Sequence, residues 1–174
     1  AVQGSEDRGT GRDAAFSLYA DLSRRAGDAD LIVWPEGTVP GDALTRGEMN
    51  QLAREIGTPI LAGMIESAPD GTLRNTLRLF PETPGAPIYT KRQIVPFGEV
   101  FPARAGLGPV FERYGVNYAD FVAGKTPGVF DVGGKTTVGT AICYESAFLY
   151  VARDAVRAGA DVLIFVTSDQ TFEK

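Results

Sequence analysis

The chain has 174 residues, of which 44% are hydrophobic and 22% charged, values that are ordinary for one globular domain with its own core. Its formal net charge of −5 and the lack of a basic stripe argue against a protein that binds nucleic acid. It contains no histidine, which excludes the catalytic triads and most of the zinc sites that are built on imidazole. Any catalytic base must therefore be a carboxylate, a lysine or a tyrosine.

The hydrophobic pattern predicts helices that alternate with apolar strands. In chain order the predicted elements are helix 11–27, strand 29–37, helix 46–57, strands 58–67, 72–80 and 86–95, strand 134–145, helix 146–159 and strand 160–168. Each predicted helix ends at a glycine, which is a common stop signal. Because helices stand between continuous apolar strands, the order favours a layered α/β domain with buried sheets.

The stretch 96–128 is rich in glycine, proline and aromatic residues and shows no clear period. A loop of this length is typically functional or mobile. No run of about 18 apolar residues occurs, so the sequence predicts no membrane-spanning helix within the chain. From its first residues, AVQGSEDRG, and its last, TSDQTFEK, we expect a segment of a larger protein.

Three chemically active residues stand where predicted strands run out. Glu36 follows LIVWP, Lys91 follows PIYT, and Cys143, the lone cysteine, follows VGTAI. Sites in open α/β sheets form outside the carboxyl ends of the strands, so a carboxylate, an ammonium and a thiol could converge there.

Convergence would permit nucleophilic chemistry without histidine. Cys143 as a thiolate would attack an acyl group, Glu36 would act as general base, and Lys91 would stabilise the oxyanion. Each residue also has a plain structural interpretation. Cys143 could be a core residue, Lys91 a solvated charge at a strand end, and Glu36 a cap or turn carboxylate. Position alone does not decide between these interpretations.

Three motifs, LIVWPEG, YTKRQIVPFGEVFP and VGTAICYES, together resemble those of the nitrilase, or carbon–nitrogen hydrolase, superfamily. They occur in the same order and span nearly the whole chain. The resemblance implies a four-layer α-β-β-α sandwich, C-terminally incomplete here, so that residues 1–174 form a partial catalytic domain. It also implies that Glu36, Lys91 and Cys143 are the catalytic triad.

Within that superfamily, KRQIVPFGEVFP is most similar to the corresponding segment of the apolipoprotein N-acyltransferase branch. This similarity implies a phospholipid acyl donor, a diacylglyceryl lipoprotein acceptor, and neither a metal nor an organic cofactor. It further implies membrane helices outside this chain and a location in the bacterial inner membrane, with the catalytic domain on the periplasmic face.

The same branch suggests supporting residues. Glu99 would position Lys91 and balance its charge, and Tyr144 and Glu145 would support the nucleophile, although Tyr144 could instead pack in the core and Glu145 could cap the next helix. Three aromatic residues are further candidates for substrate contact, with core packing as the alternative for each: Trp34, Phe97 and Phe101.

Two other functions remain open. One is a soluble amidase or nitrilase that uses the same three residues with water as the acceptor. The other is an inactive interaction domain that binds lipoproteins or membrane partners, in which Cys143 would be unreactive.

Overall fold

The computed structural model describes residues 6–96, 98–100 and 121–168. Within these residues the α-helices are α1 (Glu6–Arg24), α2 (Ala43–Ile56) and α3 (Leu149–Arg157), and a 3₁₀ turn spans Cys143–Ala147. The strands are β1 (Ile32–Val33), β2 (Val39–Pro40), β3 (Ile60–Ser67), β4 (Leu73–Phe80), β5 (Ile88–Thr90), β6 (Gly128–Val132), β7 (Thr136–Ile142) and β8 (Val162–Val166).

The strands form two sheets. In the first sheet the order is β1-β3-β4-β5, and β2 also pairs with β3. β1 and β2 run parallel to β3, whereas β3, β4 and β5 are antiparallel neighbours. In the second sheet β6 and β7 form an antiparallel pair, and β8 returns parallel to β7 after α3.

Two hydrophobic clusters define the layers. In the first cluster, Met49 and Leu52 of α2 pack against residues of β3 such as Ile60 and Met64. The second cluster joins the two sheets, because Leu77 of β4 packs with residues of β6 and β7. α3 packs on the outer face of the second sheet. The approach is close, because a Cβ added at Gly139 of β7 would lie 2.9 Å from the side chain of Ala155 in α3. The order of layers is therefore α-β-β-α, which confirms the predicted architecture.

The boundaries of α2 follow local rules. Asp42 is the N-cap and accepts a 2.8 Å hydrogen bond from the backbone N–H of Thr45. Gly57 ends the helix with a positive φ of 71°, as its place in the sequence predicted. Among the described residues no helix is both long and apolar enough to cross a bilayer.

Several predicted strands are shorter in the structure. Strand 29–37 pairs only at Ile32–Val33, because Pro35 has no N–H to continue the ladder. Strand 134–145 ends at Ile142, where the chain turns into the 3₁₀ segment. The short strand β2 and the strand β6 were not predicted, the latter because GVFDV directly follows a stretch without clear periodicity.

Candidate active site

Glu36 lies on the turn that follows β1. This turn packs directly on β3 at Gly63, where a Cβ would lie 2.7 Å from the Cα of Glu36 and closer still to the carbonyl oxygen of Pro35. Only glycine at this position lets the turn approach the strand so closely. Gly37, which follows the glutamate, has a positive φ of 59° and reverses the chain. The local sequence thus fixes Glu36 just beyond the carboxyl end of β1.

Lys91 follows β5 and is buried, with 1% of its side chain exposed. Its backbone N–H donates to the carbonyl of Asn75 at 2.8 Å, and its own carbonyl accepts from Gly124 at 2.8 Å. Its ammonium Nζ lies 2.7 Å from Oε1 of Glu99 and 3.3 Å from Oε1 of Glu36. The structure therefore brings Glu36, Lys91 and Glu99 together, as the motifs predicted.

The environment keeps Lys91 charged. Burial by itself lowers the pKa of the Lys91 ammonium, but the hydrogen bond to Glu99 and the negative charge of Glu36 act against it. The charge of Glu99 and a smaller contribution from Cys143 act in the same direction, so the pKa of Lys91 lies above its usual value. The side chain of Lys91 is thus held as a cation between two carboxylates.

Asn75 of β4 completes this cluster and was missed by sequence reasoning. Its side-chain Nδ2 donates to Oε1 of Glu36 at 2.7 Å and lies 3.4 Å from Oε1 of Glu99. The signal was present in TLRNTLRLF, where Asn75 interrupts the alternating apolar positions Leu73, Leu77 and Leu79. A polar residue at a buried strand position needs a partner, which the sequence could not name.

Cys143 begins the 3₁₀ turn directly after β7. It has a φ of 50°, the one positive φ of a non-glycine residue among those described. This conformation is uncommon for a side chain with a Cβ and is found where the surrounding structure imposes it. Cys143 is half-buried, packs beside the cluster between the sheets and has a free thiol. A rigid strand therefore delivers the thiol to a turn whose geometry is held by its neighbours.

Glu145 is the residue that holds this turn. It is completely buried, and its two oxygens accept four hydrogen bonds. Oε2 accepts from the hydroxyl of Tyr89 at 2.6 Å and from the N–H of Ile142 at 2.7 Å. Oε1 accepts from the N–H groups of Arg92 at 2.6 Å and Gln93 at 3.0 Å. Glu145 thus joins the segment after Lys91 to the segment around Cys143, and it also caps its own turn.

A second link runs in parallel. The guanidinium of Arg92 lies 2.9 Å from Oδ2 of Asp154 on α3 and stacks over the ring of Tyr150 at 5.2 Å. The hydroxyl of Tyr150 donates to Oε1 of Gln93 at 2.9 Å. Sequence reasoning missed these contacts because their partners are about 60 residues apart along the chain.

Tyr144 points outward. Its side chain is 41% exposed and packs edge-to-face on Phe148, with ring centroids 5.0 Å apart. The alternative that Tyr144 packs in the core is therefore wrong. An aromatic side chain is thus exposed directly beside Cys143 in the sequence.

Trp34, a candidate for substrate contact, lies in the core instead. It is 1% exposed, its Nε1 donates to Ser23 at 2.9 Å, and its ring packs against Phe16 and Tyr19. Since protein covers its ring, the structure gives Trp34 a packing role rather than a surface for substrate. Phe97 and Phe101, the other two aromatic candidates, lie outside the described residues.

Together these residues place a buried cation against two carboxylates, and Glu145 ties the segment after that cation to the turn of Cys143. Within the described part of the chain both hydrogen bonds of the Glu36 side chain fall on Oε1, so Oε2 is unengaged. Glu99, by contrast, uses both oxygens, because its Oε2 accepts from the N–H of Val95 at 2.9 Å. Among the described residues Glu36 is therefore the carboxylate of this cluster that keeps one oxygen without a hydrogen-bond donor. No group of three or more potential metal ligands occurs among the residues described.

The family model for carbon-nitrogen hydrolases matches residues 3–174. The chain belongs to the carbon-nitrogen hydrolase family, which confirms the resemblance of its three motifs.

Its curated relatives agree with the closer resemblance. The apolipoprotein N-acyltransferase of Shewanella oneidensis is 31% identical over 171 residues, which cover 88% of this chain and 33% of that protein. The apolipoprotein N-acyltransferase of Geobacter metallireducens is 31% identical over 187 residues, which cover 98% of this chain and 36% of that protein. The chain thus spans about a third of the length of these relatives.

Solved structures share the fold at low identity. A carbon-nitrogen hydrolase of Helicobacter pylori G27 superposes with a TM-score of 0.67 and 17% identity, covering 90% of this chain and 55% of that one. A mutant of the Nesterenkonia AN1 amidase, from the nitrilase superfamily, gives a TM-score of 0.61 and 20% identity, covering 92% of this chain and 62% of that one.

Proposed function

We propose that this chain is the catalytic part of an N-acyltransferase that moves a fatty acyl group from a phospholipid to the N-terminal amine of a diacylglyceryl lipoprotein. The observation that carries the chemistry is the Lys91 ammonium held between Glu36 and Glu99 directly after β5, with Cys143 directly after β7. The similarity to apolipoprotein N-acyltransferases supports the choice of donor and acceptor.

In the first half-reaction the Sγ of Cys143 attacks the ester carbonyl carbon while Glu36 takes the thiol proton. The carbonyl oxygen becomes an oxyanion that Lys91 stabilises. When the C–O bond breaks, Glu36 returns the proton to the departing glycerol oxygen. The products are an acyl thioester on Cys143 and a lysophospholipid.

In the second half-reaction the lipoprotein amine attacks the thioester carbonyl. Glu36 takes a proton from the attacking nitrogen, and the oxyanion again lies against Lys91. The C–S bond then breaks, the sulfur recovers a proton, and the product is an amide. No redox step or external cofactor is required for this sequence.

The proposal places the enzyme in the bacterial inner membrane, with this domain on the periplasmic face, where lipoprotein amines and phospholipids meet. The membrane contact would come from parts of the protein outside residues 1–174. Protease or thiol-reagent access to this domain in intact spheroplasts, compared with inverted vesicles, tests the orientation.

Intact mass of the full-length protein after incubation with phospholipid and no acceptor tests the reaction. We expect an added fatty acyl mass on the wild type and none on Cys143→Ala or Glu36→Gln. Glu55→Gln, which changes an exposed glutamate paired with Arg24, is the matched control and should acylate normally. No added mass, with small amides still hydrolysed, would indicate the amidase alternative. Neither activity would indicate the binding domain.

A further inference from the structure

The side chain of Asn75 stands between two acidic groups of the site. It is 2% exposed, and its Nδ2 lies within hydrogen-bonding distance of both Glu36 and Glu99. Its backbone carbonyl also accepts the N–H of Lys91. One residue of β4 is thus tied to the three charged groups of the cluster.

The other side of the same amide is unsatisfied. Within the described residues the buried Oδ1 of Asn75 has no hydrogen-bond partner. A buried acceptor without a partner is unfavourable for folding, and Leu77 occupies the next position on the same face of the strand. An apolar residue at position 75 would fit the fold better, so the amide requires an explanation in the site.

We infer that Asn75 is a positioning residue that fixes the orientation in which Glu36 accepts and returns a proton. Asn75 Nδ2 and Lys91 Nζ both bind Oε1 of Glu36, which turns the other oxygen of the carboxylate away from the cluster. Asn75 itself need not touch the substrate. The inference rests on the proposed acyl chemistry of Cys143, but not on the identity of the acceptor.

The choice of a neutral donor follows from the local charges. Among the described residues the charged groups in contact with Glu36 and Asn75 are Lys91 and Glu99, and Cys143 faces them from the second sheet. The cluster thus already holds two carboxylates and one ammonium. A second cation at position 75 would compete for the lone pairs that Glu36 needs as a base, whereas an amide N–H fixes the carboxylate without adding charge.

The test is the pH dependence of acyl-enzyme formation on Cys143 of the full-length protein. A short-chain p-nitrophenyl ester is the acyl donor, and intact mass identifies the thioester. Rates are divided by the fraction of folded protein, measured in the same samples by circular dichroism, so that loss of folded protein does not enter the rate. The variants are Asn75→Ala and Asn75→Asp. The matched control is Asn50→Ala, since Asn50 also makes half-buried hydrogen bonds, to the backbone of Arg46 and Glu82, but outside the site.

In Asn75→Ala, Glu36 loses a hydrogen-bond donor that favours its ionised form. We therefore expect the maximal rate of acylation (the plateau of the pH–rate profile) to fall about tenfold. The pH at which the rate falls off on the acidic side (the acidic limb) should rise by about one unit. Asn75→Asp adds a third carboxylate and should show a larger loss and a larger upward shift. Asn50→Ala should change only the melting temperature. The inference would be overturned if both Asn75 variants showed the pH–rate profile of the wild type. It would also be overturned if the only loss were in the amount of folded protein.

Transfer of the acyl group to a lipoprotein peptide is measured separately in the same samples. If the wild type forms the thioester but never acylates the peptide, the proposed acceptor is wrong. In that case the pH dependence of thioester formation in the Asn75 variants still tests whether Asn75 positions Glu36.

Discussion

Two glutamates in this molecule, the buried Glu145 and the half-buried Glu36, are used in opposite ways. Glu145 receives four hydrogen bonds, from one hydroxyl and three backbone N–H groups, and none comes from a charged side chain. Glu36 receives two, one from an ammonium and one from an amide, and both fall on the same oxygen. Glu145 has its acceptor capacity largely filled, whereas Glu36 keeps one oxygen unengaged by any of the residues that the structure describes.

The difference in hydrogen bonding indicates a structural role for Glu145 and is compatible with the proton-transfer role that we propose for Glu36. A carboxylate whose oxygens are filled by fixed backbone donors cannot move without breaking several bonds, so it suits the task of holding the turn of Cys143. A carboxylate held at one oxygen by a cation keeps a free lone pair in a fixed place, so it suits proton transfer. Glu99, filled at both oxygens, resembles Glu145 in this respect although it lies in the charged cluster.

The largest effect should come from Glu36→Gln. The variant keeps the shape of the side chain but cannot accept the thiol proton, so acyl-enzyme formation should fall by about 10³-fold or more. The rate of acylation of the full-length protein by phospholipid measures this loss. Glu99→Gln, which removes a charge from the same cluster, should cost about tenfold less than Glu36→Gln. Equal losses would mean that the unengaged oxygen does not distinguish the two acids.

Lys91→Met should come next. It removes the cation that stabilises the oxyanion and leaves two carboxylates together in a buried site, so we expect a rate loss of about 10²- to 10³-fold. Removing one partner of a buried ion pair also destabilises a fold by about 3 kcal/mol, although proton uptake by a carboxylate reduces this. The melting temperature and the acylation rate should therefore both fall. A variant that loses rate but keeps its melting temperature would show that the charge cluster adds no stability.

The pH dependence of stability follows from the same ammonium. The pKa of Lys91 is raised in the folded protein, so its contribution to stability is fully present below the unfolded value near 10.5 and is lost as pH rises through the folded value. Melting temperatures of the wild type should thus converge with those of Lys91→Met only in strongly alkaline buffer. A gap that already closes near pH 8 would contradict the raised pKa.

Glu145→Gln tests the framework side of the comparison. The amide offers one acceptor oxygen where the carboxylate offered two, and its NH₂ faces backbone donors. We expect a loss of stability of about 2–4 kcal/mol, since at least two buried N–H or O–H groups lose their acceptor. Acylation per folded molecule should fall less than in Glu36→Gln. If Glu145→Gln melts like the wild type, Glu145 is not the framework residue.

Tyr89→Phe removes a single donor from Glu145. Burial, together with the charge of Glu145, raises the pKa of the Tyr89 hydroxyl well above its usual value, so it remains a donor even at alkaline pH. Its loss should cost about 1–2 kcal/mol, because the three backbone donors remain. Combining it with Glu145→Gln in a double-mutant cycle should give a cost smaller than the sum. Additive costs would show that the two residues act independently.

The smallest effect should be that of Asp42→Ala, at the N-cap of α2 and away from both glutamates. Its hydrogen bonds to Thr45 hold the pKa of the Asp42 carboxyl below its usual value, chiefly through the backbone N–H. The substitution should cost about 1 kcal/mol and leave the acylation rate unchanged. A loss of rate would show that this turn is coupled to Glu36.

Some features of the molecule were readable from short stretches of sequence. The apolar runs predicted buried strands and the helices between them, because burial periodicity is a local property of the chain. The arrangement in two sheets was implied by the family resemblance alone. The glycine after α2 and the polar residues at the ends of apolar runs were equally local, and they predicted where Glu36, Lys91 and Cys143 would stand. The family motifs added the relation among these three residues.

Other features depended on residues that are distant in sequence. Asn75 was an unexplained break in an apolar alternation until the fold placed it 2.7 Å from Glu36, 39 residues away. Glu145 was expected as a cap or a support, and the fold supplied Tyr89, 56 residues away, as its donor.

The sequence by itself therefore determined which chemical groups stand at the ends of the strands, since strand ends follow from local hydrophobicity and turn residues. Only the tertiary structure decided which oxygen of each glutamate is engaged, because that depends on donors that distant strands bring into contact. This pattern of engagement separates Glu36, the acid that we propose to react, from Glu145, the acid that holds the turn of Cys143.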